Sequence, residues 1–169
     1  MNEMGGLSSR PRLFLVDSML GRMAKWLRIL GFDAVCRRVD TLADLEHHRA
    51  QGRLVVTRNT RWKQRPGVFF ITADETPEQV RELVTELGIG PEEVRLFSRC
   101  LRCNAPLQTV PKASVAHQVP DYVYETVDLF SRCPACSGIY WRGSHSERMA
   151  KQLERMTGWM VETMTQRRT

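Results

Sequence analysis

The chain has 169 residues, with 25 Lys and Arg against 19 Asp and Glu and a formal net charge of +6. That length suits one ordinary domain, or a compact domain of about 90 residues followed by a small module that needs a metal. No stretch approaches the roughly 20 apolar residues of a membrane span, and no basic N-terminal region precedes an apolar core, so neither a membrane segment nor a signal peptide is expected and the chain reads as cytoplasmic.

Residues 1–11 are polar, with Gly5-Gly6, Ser8-Ser9 and Pro11, and predict a disordered lead-in. Leu13 to Val16 is an apolar run of strand length that ends at Asp17. Leu20, Met23, Ala24, Leu27 and Leu30 then recur on one helical face, and Gly31 stands where that helix should end. Arg22, Lys25 and Trp26 fall off this apolar stripe. Ala34 to Cys36 predicts a second strand, Thr41 to Gln51 a second helix, Leu54 to Thr57 a third strand and Val68 to Thr72 a fourth. Thr76-Pro77-Glu78 reads as a helix start, with proline at the first helical position, and Gly88 closes that helix. Short apolar runs alternating with helices describe an α/β domain over residues 12–95, a parallel sheet with helices on both faces. In such sheets sites gather beyond the carboxyl ends of the strands, where Asp17, Asp40 and Asn59 fall.

From Leu96 the character changes. Prolines cluster, helical periodicity fades, and four of the five cysteines form Cys100-x-x-Cys103 and Cys133-x-x-Cys136. In a reducing compartment two such pairs point to metal ligation, and two tight knuckles supply the four thiolates of a tetrahedral structural zinc site. The pairs share flanks, Ser98-Arg99 before one and Ser131-Arg132 before the other. The 29 residues between Cys103 and Cys133 exceed the common spacing of about 15 to 20, so a loop or helix is inserted there. A zinc ribbon is therefore expected over 96–143. Four thiolates leave no open position for water, so the chemistry must come from elsewhere. Cys36 reads as a core residue. A helix is expected over 144–169, with Met149, Leu153, Met156, Met160 and Met164 at spacings of three or four, a stripe that packs against its own protein or fills a partner's groove.

Charge placement suggests a polyanionic partner. Arg49, Arg53, Arg58, Arg61, Lys63 and Arg65 lie between His47 and Ala73 with no acid among them, and Arg22, Lys25, Arg28, Arg37 and Arg38 form a second cluster broken only by Asp33. The alternative is a solvated basic face. Trp26 and Trp62 are candidates for stacking on an unpaired base or for core packing. Carboxylates beyond a parallel sheet, beside such a surface, suit a Mg2+ or Mn2+ nuclease, because hard cations take oxygen ligands and activate water. Asp17, Asp40 and Asp44 are the candidates, with Asp74 and Asp33 as substitutes and Asp33 better suited to a turn. For each acid alone, a cap or loop role is the competing reading.

Four runs carry a resemblance: Phe14 to Asp33 (FLVDSMLGRMAKWLRILGFD), Gly52 to Asn59 (GRLVVTRN), Phe97 to Asn104 (FSRCLRCN) and Tyr140 to Met149 (YWRGSHSERM). Together they resemble the Mut7-C family over about residues 12–150. The resemblance implies a PIN-like ribonuclease domain fused to a zinc ribbon, divalent-metal chemistry and RNA as substrate. It places Asp17 as the acid ending the first strand, and Asp40 and Asp44 near the acidic opening of the second helix. Relatives carry Thr-Arg-Asp after the third strand, where this chain has Thr57-Arg58-Asn59. An amide keeps an oxygen ligand but removes a charge from the site. The expected function is a metal-dependent ribonuclease with structural Zn2+ and catalytic Mg2+ or Mn2+, with Arg22, Lys25, Arg58, Arg61, Lys63 and Arg65 on the RNA backbone and tRNA or the ribosome as candidate partners. The rival readings are a non-catalytic RNA- or ribosome-binding relative disabled at Asn59, and a protein-interaction module built on the terminal helix.

Overall fold

The structure is a computed structural model that describes residues 12–161. The lead-in expected over 1–11, and Met164 in the expected terminal stripe, lie outside the described residues. Strands β1 (Leu13–Asp17), β2 (Asp33–Arg37), β3 (Arg53–Thr57) and β4 (Val68–Phe70) form one parallel sheet in the order β2-β1-β3-β4. Alternation along β1 sends Phe14 and Val16 to one face and Leu15 to the other. The first face is covered by α1 (Gly21–Ile29) and α3 (Thr76–Glu86), through Met23, Ala24, Leu27, Val80 and Leu83. The second is covered by α2 (Leu42–Ala50), through Leu45, together with Trp62 and Val39. Helices thus lie on both faces of the parallel sheet.

Local chemistry explains where the helices begin and end. Thr41 caps α2: its hydroxyl accepts from the Asp44 N–H at 3.1 Å, and its own N–H donates to Asp44 Oδ2 at 3.0 Å, a reciprocal capping box. Pro77 opens α3, where its missing N–H costs nothing. Gly31 follows α1 with φ 94°, and a Cβ there would collide with the Arg95 carbonyl oxygen. That close approach lets the chain leaving the sheet domain bond back to α1, Arg95 N–H to the Leu30 carbonyl and Phe97 N–H to the Ile29 carbonyl, each at 2.9 Å.

Beyond Phe97 a smaller antiparallel sheet forms from β5 (Gln108–Val110), β6 (Phe130–Arg132) and β7 (Ile139–Trp141), in that order. The long segment between the cysteine pairs holds β5, a 3-10 turn (Lys112–Val115) and α4 (Asp121–Thr126), and its apolar cluster is Val115, Val119, Val123 and Phe130. Helix α5 (Ser144–Thr157) then returns to the sheet domain and packs on α3. Leu153 and Met156 are buried in the same core as α1 and α3, whereas Met160 is 70% exposed. The stripe expected along this helix therefore serves mainly internal packing, and α5 itself stops at Gly158, which takes the left-handed φ of 74° that ends a helix readily.

Candidate metal centre and basic cleft

The two Cys-x-x-Cys segments adopt the same turn. Cys100 N–H donates to the Ala105 carbonyl and Asn104 N–H to the Cys100 carbonyl, both at 2.9 Å; Cys133 N–H donates to the Gly138 carbonyl and Ser137 N–H to the Cys133 carbonyl, again at 2.9 Å. Asn104 (φ 64°) and Ser137 (φ 58°), each four residues after the first cysteine of its pair, supply matching left-handed turns. The knuckles bring the Sγ atoms of Cys100, Cys103, Cys133 and Cys136 within 4.8 Å of one another, with Cys100 and Cys136 at 3.7 Å. A tetrahedron with Zn–S bonds of about 2.3 Å has S···S edges of about 3.8 Å. The donor set and its spacing therefore fit a zinc ribbon. Burial opposes ionisation of Cys100, but the Tyr140 hydroxyl 3.0 Å from its sulfur and the nearby backbone N–H groups outweigh it and draw the thiol down to about 6. Cys103 is pushed up to about 12 by its bonds to Cys136 and by neighbouring sulfur charge. Four sulfurs gathered in this way resist full ionisation unless a cation offsets their repulsion.

The first knuckle is locked to the sheet domain by two polar struts. Arg28, only 8% exposed on α1, donates through Nε to the Ala34 carbonyl at 2.9 Å and through Nη1 to the Leu101 and Arg102 carbonyls at 2.8 and 3.3 Å. Asp33, expected as a turn residue, instead opens β2 and joins three partners. Arg53 donates to its Oδ1 at 2.7 Å, Asn104 Nδ2 donates to the same oxygen at 2.8 Å, and Arg99 Nη2 lies 3.8 Å from Oδ2. Asn104 completes the lock by accepting the Ala34 N–H at 3.0 Å.

Replacing Arg28 by Met strands carbonyls that accept from a charged donor, and should lower stability by about 2 to 4 kcal/mol. Urea unfolding of Arg28→Met checks this, and a variant as stable as wild type would show the strut to be dispensable. For Asp33, burial raises the carboxyl, but the bonds from Arg53 and Asn104 and the charges of Arg53 and Arg99 outweigh it and hold the group below its ordinary 3.8. A carboxyl depressed in the folded state contributes stability above the unfolded value, and that contribution is lost as pH falls through the folded value. The difference in melting temperature between wild type and Asp33→Asn should therefore be constant above about pH 5 and shrink below about pH 4. A pH-independent difference would count against the lock.

Of the acids expected to form a catalytic group, Asp17 sits at the end of β1, 3% exposed, and accepts a 2.7 Å bond from the Thr57 hydroxyl on β3. Asp40 accepts from Arg38 Nε at 2.8 Å. Asp44 is engaged in the α2 capping box, which holds its carboxyl below the usual range. Asn59 accepts the Arg61 N–H at 3.1 Å through its side-chain oxygen and so caps the 3-10 turn Thr60–Trp62. Among the described residues the cysteines are the one group of three or more His, Cys, Asp or Glu side chains close enough together to share an ion. As arranged, Asp17, Asp40 and Asp44 do not form a ready divalent-metal site.

What the strand ends do build is a cleft of about 1060 Å3. Its cations come from three places: Arg22, Lys25 and Arg28 on α1, Arg58 just after β3, and Arg102 on the first cysteine knuckle. Asp74 and Glu75 stand opposite, before α3, where Asp74 pairs with Arg58. Buried Gln79 fixes that edge by donating to the Ala73 and Asp74 carbonyls at 3.2 and 2.9 Å. Cys36 lines the cleft half-buried, its thiol pushed up by burial, with Arg28 opposing and Asp17 adding to the shift. Of the six residues expected on an RNA backbone, Arg22, Lys25 and Arg58 share this cleft. Arg61, Lys63 and Arg65 do not: Arg61 donates to the Asp40 carbonyl at 3.1 Å and lies over the Trp62 ring, and Lys63 lies over Phe70. Trp62 is buried with Nε1 bonded to the Val39 carbonyl, and Trp26 packs against the sheet core, so both do the packing job rather than base stacking. Arg102 and Asp74 were the harder residues to find, since only the folded chain brings a zinc knuckle and the α3 lead-in to one cleft.

No helix is long and apolar enough to cross a membrane among the described residues. No curated protein matches the chain. Residues 12–153, spanning both the parallel sheet and the cysteine knuckles, match the family model described as the Mut7-C RNAse domain. The chain belongs to the Mut7-C RNAse domain family, and a ribonuclease-type function is what that membership indicates.

Proposed function

We propose that the protein is a ribonuclease that takes its RNA into the cleft at the carboxyl ends of the parallel strands. The observation that carries this reading is the convergence of Arg22, Lys25, Arg28, Arg58 and Arg102 on one cleft of a ribonuclease-family fold. Arg22, Lys25 and Arg58 would hold phosphates and fix register without reading sequence. Arg61, Lys63 and Arg65, on the loop outside the cleft, would extend that contact along a longer RNA. Structured RNAs such as tRNA, or the RNA of a ribosome, are the substrates to test first. Mg2+ or Mn2+ is the proposed cofactor, a hard cation that would activate water for attack on a phosphodiester. Asp17, Asp40 and Asp44 are its proposed ligands, with the Asn59 carbonyl oxygen beside them; Asp40 would have to exchange Arg38, and Asp44 would have to exchange Thr41, for the ion.

Binding without cleavage is the second reading, favoured by Asn59, whose side-chain oxygen is already used as a cap and which brings no charge. Purified protein incubated with labelled structured and unstructured RNAs in Mn2+, Mg2+ or EDTA separates the two. Cleavage with metal and none with chelator supports the ribonuclease; retained RNA with no cleavage under any metal supports the binder.

A further inference from the structure

We propose that a second basic groove, between α3 and α5, is an anchor for the RNA that enters the cleft, a reading that rests on the RNA-binding function proposed above. The groove has a volume of about 430 Å3 and is lined by Pro77 and Arg81 of α3 and by Arg148, Lys151, Gln152 and Arg155 of α5. Spacings of three, four and seven place Arg148, Lys151 and Arg155 along one face of the helix. All three are exposed, and among the described residues none has an ion-pair partner within 4.0 Å. Glu147 and Glu154 of the same helix fall outside the groove lining, and Glu154 Oε1 accepts the Val161 N–H at 3.0 Å. Charges are thus sorted by face, where a merely solvated helix would interleave them.

Arg81 holds the groove in shape. Its Nε donates to the Met156 carbonyl at 2.9 Å and its Nη2 to the Arg155 carbonyl at 3.2 Å, which ties the end of α5 to α3 and adds a cation beside the three. The groove and the cleft share a wall: Thr76 and Gln79 line the cleft, and Pro77, between them in the chain, lines the groove. The acids at that wall are Asp74, paired with Arg58, Glu78, 3.9 Å from Arg81, and Glu75. A polyanion therefore passes beside this acidic sill and is held on either side of it. An acidic peptide or an anionic membrane would also answer the charge of the groove, but neither accounts for its position against the cleft.

The test compares affinities for oligoribonucleotides of about 4 and about 16 nucleotides, the range covered by a single binding groove. In Arg148→Glu/Lys151→Glu, affinity for the longer oligomer should fall about tenfold or more, and the slope of log affinity against log salt should shrink by about 1.4, at about 0.7 per lost phosphate contact. The shorter oligomer, held in the cleft, should bind as in wild type. Arg22→Glu/Lys25→Glu in the cleft should weaken both. Should the charge reversals disturb the circular dichroism melt, Arg148→Ala/Lys151→Ala provides the same comparison with half the slope change. Unchanged affinity for the longer oligomer in the α5 variants overturns the anchor while leaving the cleft reading intact. If neither pair of variants alters binding, both readings fall. Loss of phosphatidylserine vesicle binding in the α5 variants, with RNA binding unaltered, assigns the groove to a membrane and also overturns the anchor.

Discussion

Removing zinc from the four cysteines is expected to unfold the β5-β6-β7 module while the parallel sheet stays folded. The module's described apolar cluster is Val115, Val119, Val123 and Phe130, little for a segment of this length, so the metal must supply much of its stability. Structural zinc contributes roughly 10 to 16 kcal/mol in small peptides, more than the whole stability of many domains. The parallel sheet has its own core on both faces and owes nothing to that ion. Metal analysis should give one zinc per chain. Cys133→Ser, at a fully buried ligand, should abolish amide protection in Phe130–Trp141 and leave protection in β1 and β3. The struts give the experiment a second readout. With the first knuckle loosened, Arg28 and Asn104 lose their partners across the boundary, so the sheet domain should melt a few degrees lower without losing cooperativity. Helix α5 should remain helical, because Leu153 and Met156 are buried against α3 rather than in the zinc module. A zinc-free protein with full protection across Phe130–Trp141 would show that the cysteines are not a structural metal site.

The sheet domain was legible in the sequence because its signals are local and repeated. Apolar runs of strand length, an apolar stripe at helical spacing and Pro77 at a helix start each name their own element, and the structure has β1 to β4 and α1 to α3 in those places. The cysteine knuckles were legible for the same reason. What sequence could not convey was the direction in which a charge points once the chain turns. Arg58, Arg61, Lys63 and Arg65 read as one basic run, yet the 3-10 turn at Thr60–Trp62 folds Trp62 into the core and swings Arg61 toward Asp40, leaving Arg58 alone in the cleft. Arg28 reads as one more surface cation, but it lies on the side of α1 that meets the first knuckle, a contact between residues 73 positions apart. Asp44 shows the opposite limit. Its position three residues after Thr41 is a local capping signal, and that signal describes its observed bonds better than a metal-ligand reading does.

Conversion of Asp17 to Asn is expected to reduce any RNA cleavage on the order of 100-fold or more, the scale of removing a group that acts on developing charge in a transition state. The structure makes the substitution informative because it is nearly isosteric. The Thr57 hydroxyl that now donates to Asp17 Oδ2 can donate equally to an amide oxygen, so β1 and β3 keep their link and lost activity cannot be ascribed to lost folding. Asn59→Asp is the complementary change. Asn and Asp are equivalent as caps, so the turn at Thr60–Trp62 should survive and thermal stability should hold within about 0.5 kcal/mol. The added carboxylate would then do one thing that the amide cannot, which is to add negative charge beside Asp17. If a divalent cation acts there, Asn59→Asp should tighten Mn2+ or Mg2+ binding and raise cleavage, and should create cleavage if the natural protein only binds RNA. If no cation acts there, the new charge would only repel Asp17 and raise its pKa, with no gain in rate. Rates measured across a Mn2+ titration for wild type, Asp17→Asn, Asn59→Asp and the double variant separate these outcomes. Cleavage that persists in Asp17→Asn with either residue at 59 would remove the end of β1 from the mechanism and shift attention to Asp74 and Glu75 across the cleft.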